Sequence, residues 1–251
     1  MALSPTFAIS MTLLRDTVPG FDRYPFSLPA VKHLDQLAFH PAVTFIVGEN
    51  GSGKSTLLEA IAVALGYNAE GGSRNLRFGT RDSHSPLHGH LRISRGYRKP
   101  RDGYFLRAES FFNVATALER LDEGPGGPPL IDSYGGHSLH EQSHGESFMA
   151  LLNHRFGGQG LYVLDEPEAA LSPQRQLAAL ARIHQLVKAG SQFIIATHSP
   201  ILMAYPDARI YACLPDGLRR TDYEDTEHYQ VTLEFLRDPR RMLDTLLDDE
   251  A

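Results

Sequence analysis

Cysteine is nearly absent from this 251-residue chain: Cys213 stands alone, so no internal disulfide can staple the fold. That usage fits a reducing compartment such as the cytoplasm. Long apolar runs are missing too, and none approaches the roughly 18 residues that a membrane span needs. Membrane contact would therefore come only through a partner. The early run "FAISMTLL" has no basic residue ahead of it and is closed by Arg15 and Asp16, which reads as an edge or core strand and not as a secretion signal. Internal repeats, heptad runs and low-complexity tracts are lacking, and no glutamine occurs between Ser55 and Glu141. With 42% hydrophobic and 22% charged residues, the chain can bury a full core, and residues 1–251 are expected to form one unit.

Charge is unevenly spread. The net charge is −6, yet Asp222 to Glu250 holds ten acids against three arginines, so the rest of the chain is slightly positive. Between Arg74 and Arg107, nine bases face only Asp82 and Asp102. Tyr97, Tyr104 and Phe105 are interleaved with these arginines. Such a stretch (74–107) can grip a nucleic-acid backbone, or it can be a charged sheet edge protected from mispairing. The acidic end, with Leu233, Leu236, Met242 and Leu246 at helical spacing, reads as a solvated amphipathic cap. "DEGPGGPP" (122–129) is the clearest loop or lobe boundary.

The strongest chemical signal is "AVTFIVGENGSGKSTLLEAIAVALG" (42–66). Val43 to Val47 reads as a buried parallel strand, and Leu57, Leu58, Ile61, Ala62 and Leu65 recur at helical spacing. Between them, Gly48 to Ser55 fits G-x-x-x-x-G-K-[ST] in the strand-to-helix context that such a phosphate-binding loop requires. Asn50, Gly51, Ser52, Gly53, Lys54, Ser55 and Thr56 are the expected nucleotide contacts. Backbone N–H groups and the helix N-terminus would face the phosphates, Lys54 would reach the β- and γ-phosphates, and Ser55 would ligate Mg²⁺.

Hydrolysis needs more than a cradle, and "GLYVLDEPEAALSP" (160–173) supplies it. Leu161 to Leu164 reads as a second buried strand ending in Asp165, placed to hold Mg²⁺ directly or through water. Glu166, on the other face of the pleat, is the candidate general base. A helix should follow Ser172-Pro173, with Leu177, Leu180, Ile183 and Leu186 as its apolar positions. A third strand, "QFIIATHSP" (192–200), carries His198 to the end where parallel sheets bind ligands.

The ordered set Gly48–Ser55, Ser143-His144-Gly145-Glu146, Asp165-Glu166-Pro167 and His198 resembles the ATP-binding-cassette ATPases. The likeness spans roughly residues 5–215. It implies an α/β fold, a three-layer P-loop sandwich with a β-rich edge lobe and a small helical lobe near 105–147. It implies an ATP phosphohydrolase in which Glu166 acts as base, His198 senses the γ-phosphate and Lys54 assists. It further implies an ATP-dependent, head-to-tail homodimer in which Ser143, Gly145 and Glu146 complete the nucleotide site of the opposing protomer. Without that implication, Ser143 and Glu146 read equally as a helix capping box, with a helix expected from near Ser147.

The chain departs from the transporter pattern in having Glu146 in the signature and Glu168 after Pro167. "DEPE" with "THSP" looks more like stand-alone predicted ATPases and the chromosome-maintenance or recombination-repair branch, although the long coiled-coil insertion of that branch is missing. The family's Q-loop glutamine is absent, and Glu109 is the candidate for its role. Ser172 replaces the common D-loop aspartate. Tyr24 and Phe26 are the candidates for adenine stacking. The coupled process stays open between nucleic-acid work, energising a transporter, and an ATP-driven regulatory switch.

Overall fold

The computed structural model describes residues 6–73, 85–108, 111–122, 129–138 and 140–247. The strands are β1 (Ala8–Leu13), β2 (Gln36–Ala38), β3 (Val43–Val47), β4 (Gly72–Ser73), β5 (Leu91–Arg95), β6 (Asp102–Arg107), β7 (Gly160–Asp165), β8 (Gln192–Ala196), β9 (Arg209–Leu214) and β10 (Gly217–Thr221). The helices are α1 (Pro29–Lys32), α2 (Lys54–Leu65), α3 (Phe111–Asp122), α4 (His144–Ala150), α5 (Pro173–Lys188), α6 (Pro200–Met203), α7 (Glu227–Arg237) and α8 (Pro239–Leu247).

A seven-stranded sheet runs in the order β10-β9-β3-β8-β7-β6-β4, and a three-stranded antiparallel sheet runs β2-β1-β5. In the large sheet β9, β3, β8, β7 and β6 are parallel, with antiparallel β10 and β4 closing the ends. Every residue of β3, β7 and β8 is buried. That is why these segments read as unbroken apolar runs: a parallel sheet covered on both faces has no polar side to alternate with.

The two faces have separate cores. Phe45, Tyr162, Leu164, Phe193 and Ile195 pack with Phe148 of α4 and with Ala179, Ile183 and Leu186 of α5. On the other face Ile46, Leu161, Val163 and Ile194 pack with Leu57, Leu58 and Ile61 of α2 and with Met11 and Leu37 of the small sheet. The result is the three-layer α/β arrangement, with the small sheet as the β-rich lobe and α3 and α4 on the helical side.

Several expectations are corrected. Leu177 lies on the outer side of α5, 57% exposed, and Ala179 takes its place in the core. The helix expected near Ser147 begins at His144 and runs on through a π turn at Leu151–Arg155. Of the two readings given for "FAISMTLL", the structure takes the interior one: it forms the central strand of the small sheet. Tyr104 and Phe105 are fully buried core residues of β6, so of the three interleaved aromatics only Tyr97 is exposed. Residues 74–84, Glu109 and the 123–128 part of the expected boundary lie outside the described residues. Helices α7 and α8 have no buried residue, in line with a solvated cap.

Gln192 ties the two sheets together. Its Oε1 accepts from the N–H groups of Phe7 and Ala8 at 3.0 and 2.9 Å, and its Nε2 donates to the carbonyls of Ala8 and His40 at 2.8 and 2.9 Å. The side chain is fully buried. Gln192→Leu leaves two buried N–H groups and two carbonyls without partners, and should lower the unfolding free energy by about 3 kcal/mol or more, measured as a fall in the urea midpoint.

Candidate functional site

The site forms where β3, β8 and β7 end. Because β8 is inserted between β3 and β7, the loop after β8 emerges between the phosphate-loop strand and the acid-ended strand. The chain leaves β3 through Gly48, whose φ of +143° is tolerated only by glycine; an added Cβ would also lie 2.9 Å from the Cys213 carbonyl. Gly53, at φ +98°, turns the chain into α2. The loop that results is the cradle expected from Gly48–Ser55.

Lys54 is 3% exposed and donates from Nζ to the Glu49 carbonyl at 2.8 Å. Burial lowers its pKa, opposed by the charges of Glu166, Asp165 and Glu168. The Ser55 hydroxyl donates to Oδ1 of Asp165 at 3.1 Å, across 110 residues of sequence. Asp165 is the last residue of β7 and 4% exposed. Glu166 does not continue the pleat. It lies beyond the strand in a left-handed conformation, φ 49° and ψ 53°, with its N–H bonded to the Ala196 carbonyl. This turn, rather than strand alternation, separates its carboxylate from that of Asp165.

His198 stands two residues past β8. Its Nε2 is 3.4 Å from Oε1 of Glu166 without forming an aligned hydrogen bond. Its backbone N–H donates to Oε1 of Glu168. Glu168 is therefore more than a departure from a pattern: it buttresses the loop that carries His198. Burial raises its pKa, opposed by donors from the His198 backbone and Thr197, and its Oε2 has no hydrogen-bond partner.

A cleft of about 220 Å³ is lined by Tyr24, Leu28, Lys54, Ser55, Thr56 and Glu166 among others. A larger cleft of about 680 Å³ shares Asn50 and Gly51 with it and lies against Cys213, Arg219 and His228. The smaller cleft holds Lys54, Ser55 and Thr56 beside Glu166 and is the candidate nucleotide site. Tyr24, 65% exposed and 3.3 Å from the Thr56 hydroxyl, stands at its wall. Phe26 is buried edge-on against His90 and offers no free face. Ser52 Oγ is buried beside the Cys213 thiol, on the side of the larger cleft. Ser55 and Asp165 are hard oxygen donors of the kind Mg²⁺ takes. Among the described residues no cluster of three or more metal-ligating side chains exists, so phosphates and waters would complete the shell.

Ser143, Gly145 and Glu146 sit apart, with no hydrogen bond to residues 48–56 among the described residues. Ser143 and Glu146 form a reciprocal capping box on α4, with Ser143 Oγ 2.6 Å from Oε2 of Glu146. Arg175 of α5 reaches both, 3.4 Å from Ser143 Oγ and 3.3 Å from Oε1 of Glu146. Ser143 donors, then Arg175, hold the Glu146 carboxyl below its usual range. A Cβ on Gly145 would lie 2.7 Å from the Ala170 carbonyl and 2.5 Å from Arg175 Nη1. Close packing on the turn after Glu166 thus requires glycine within the protomer itself. Sequence spacing missed Arg175 and His228, since neither has a local partner that would mark it.

A phosphate loop between parallel strand and helix, facing an acid-ended strand two ladders away with a histidine strand between, defines a P-loop nucleotide-binding fold. Solved structures refine this. The chain superposes on "An inward-facing conformation of a putative metal-chelate type ABC transporter" with a TM-score of 0.51 and 16% identity, covering 91% of this chain and 89% of the other. The ADP conformation of an ATP-binding cassette of an ABC transporter gives 0.50 and 18%, covering 94% and 97%. The SMC head domain from Thermotoga maritima gives 0.41 and 17%, covering 86% and 98%. Residues 26–104 match the family model "AAA domain" and residues 110–204 match "AAA domain, putative AbiEii toxin, Type IV TA system". No curated protein sequence matches the chain. The chain has the fold of the ABC-type P-loop ATPases.

Glu168 generates a prediction about stability. With its folded pKa raised, the folded state binds the extra proton between the unfolded and folded pKa values, so this group's contribution to stability falls as pH rises above the ordinary carboxyl range. Glu168→Gln should remove that component, so that urea midpoints at neutral and mildly acidic pH differ less in the variant than in the parent.

Proposed function

We propose that the chain is an Mg²⁺-dependent ATP phosphohydrolase that acts as an ATP-dependent head-to-tail homodimer. The observation that carries this reading is the convergence of Lys54, Ser55, Asp165, Glu166 and His198 at the ends of three adjacent parallel strands. Backbone N–H groups of residues 50–55 and the α2 N-terminus receive the phosphates. Lys54 exchanges its bond to the Glu49 carbonyl for the β- and γ-phosphate oxygens. Ser55 and Asp165 would hold a magnesium ion, which when bound would neutralise phosphate charge. Glu166 takes the proton of the attacking water, and His198 reads the γ-phosphate. Tyr24 stacks on the base.

In the dimer, Ser143, Gly145 and Glu146 face the γ-phosphate bound to the other protomer. The exposure of Ser143 and Glu146 at the α4 N-terminus supports that reading. Arg175 then offsets the Glu146 charge, which would otherwise repel the phosphate. The whole chain serves as a single ATPase unit. The cytoplasm suits the buried Cys213 thiol, whose pKa burial pushes up to about 11, and no helix among the described residues is long and apolar enough to cross a membrane.

The reading favoured for the coupled process is a nucleic-acid or other macromolecular task. Arg92, Arg95, Arg98, Lys99 and Arg101 are exposed around β5 and the turn to β6, and Arg98 stacks on the exposed Tyr97. The burial of Tyr104 and Phe105 limits base stacking to Tyr97 there, so contacts would be mostly to phosphates.

Two variants test the mechanism. Glu166→Gln should bind ATP, lose turnover by at least about a hundredfold, and shift from one chain to two in light scattering only when Mg-ATP is present. Turnover at the parent rate would reject Glu166 as base. Ser143→Arg should keep nucleotide binding, measured by titration calorimetry, and abolish the nucleotide-dependent dimer; normal dimerisation would remove the trans role of the α4 N-terminus.

A further inference from the structure

His228 enters the site from an element that no phosphate-loop motif anticipates. It lies in the first turn of α7, which Thr226 caps: Thr226 is 2% exposed and its hydroxyl donates to the Tyr223 carbonyl at 2.7 Å. A tilted ring contact between Tyr223 and Tyr229, with centroids 4.7 Å apart, braces the same turn. His228 Nε2 consequently sits 3.1 Å from His198 Nδ1.

The proton positions follow from the neighbours. His198 Nε2 lies 3.4 Å from Oε1 of Glu166, not aligned for a hydrogen bond but close enough that the carboxylate attracts an N–H there and repels a lone pair, so Nε2 is the nitrogen that carries hydrogen. Burial lowers the pKa of both rings, Lys54 adding to it, against Glu166 at His198 and against Glu227 and Glu49 at His228. Each neutral imidazole has one N–H and one bare nitrogen. With Nε2 protonated, Nδ1 of His198 is bare, and His228 Nε2–H is the donor that fills it.

We infer that His228 is a positioning residue that holds the His198 imidazole in the Nε2–H tautomer, so that an N–H and not a lone pair faces Glu166, which itself lines the nucleotide cleft. A lone pair there would repel a phosphate oxygen; an N–H would bind it. The same contact joins α7, and through it the exposed helix α8, to the loop after β8. The consequence for turnover rests on the ATPase reading above, whereas the tautomer itself does not.

The test separates the two. Nitrogen-15 spectra of histidine-labelled protein, with His198 assigned through His198→Asn, should show a bare Nδ1 and a protonated Nε2 in the parent. His228→Phe keeps a ring but removes the donor, and should mix the His198 tautomers and lower kcat about tenfold with KM unchanged. His228→Gln restores an N–H donor at nearly the same reach and should restore both. A parent His198 protonated at Nδ1, or an unchanged His198 spectrum in His228→Phe, overturns the inference. Should His228→Phe fail to fold, the parent spectrum and His228→Gln still decide it. A parent that turns over no ATP but shows the expected tautomer, lost in His228→Phe, rejects the ATPase reading and leaves the pairing standing.

Discussion

The carboxyl ends of β3, β8 and β7 are held side by side by parallel ladders, and every candidate group depends on that alignment. Residues far apart in the chain, Lys54 and Ser55, Asp165 and Glu166, and His198, meet because Ile46 pairs with Ala196 and Ala196 with Asp165. The ladders are in turn kept straight by burial on both faces. Slipping one strand by a residue would invert its whole side-chain set and expose Phe45, Tyr162 or Phe193 to the wrong layer. Register and site geometry are thus one constraint.

At the loops beyond those ends, polar groups are arranged in relays. Ser55 leans on Asp165, Glu168 on the His198 backbone, and His228 on the His198 ring. Each relay crosses between elements, so that the phosphate loop, the acidic turn and the histidine loop are linked by polar contacts. In a partly buried site such bonds are stronger than at a surface, and leaving one unmade costs more. The left-handed Glu166 is the strained member. Its backbone bond to Ala196 offsets part of that cost and fixes where its carboxylate emerges.

The α4 N-terminus shows one residue set serving two demands. Ser143 and Glu146 complete the helix cap within the protomer, and Gly145 permits the close approach of the turn at Ala170. The same exposed serine and N–H groups are those proposed to meet a phosphate across the dimer. Arg175 reconciles the two, since it compensates the Glu146 carboxylate whichever role is in force.

Much of this was legible in the sequence. The apolar β-branched run at Val43–Val47, the glycine spacing before Lys54 and the helical recurrence from Leu57 to Leu65 are local signals, and the strand, loop and helix formed where they stand. Asp165 at a strand end and His198 beyond another were readable for the same reason. Local pattern could not say that β8 lies between β3 and β7, that Glu166 turns left-handed out of the pleat, that Tyr104 and Phe105 are core residues, or that Leu177 faces solvent. Nor could it find Gln192, Glu168 and His228 as partners of groups some 30 to 185 residues away. Secondary structure and the phosphate loop follow from short-range periodicity and backbone sterics, which the sequence carries by itself. Strand order, the pairing of buried polar groups and the aim of each imidazole arise only when distant segments compete for the same buried positions, and tertiary structure alone decided them.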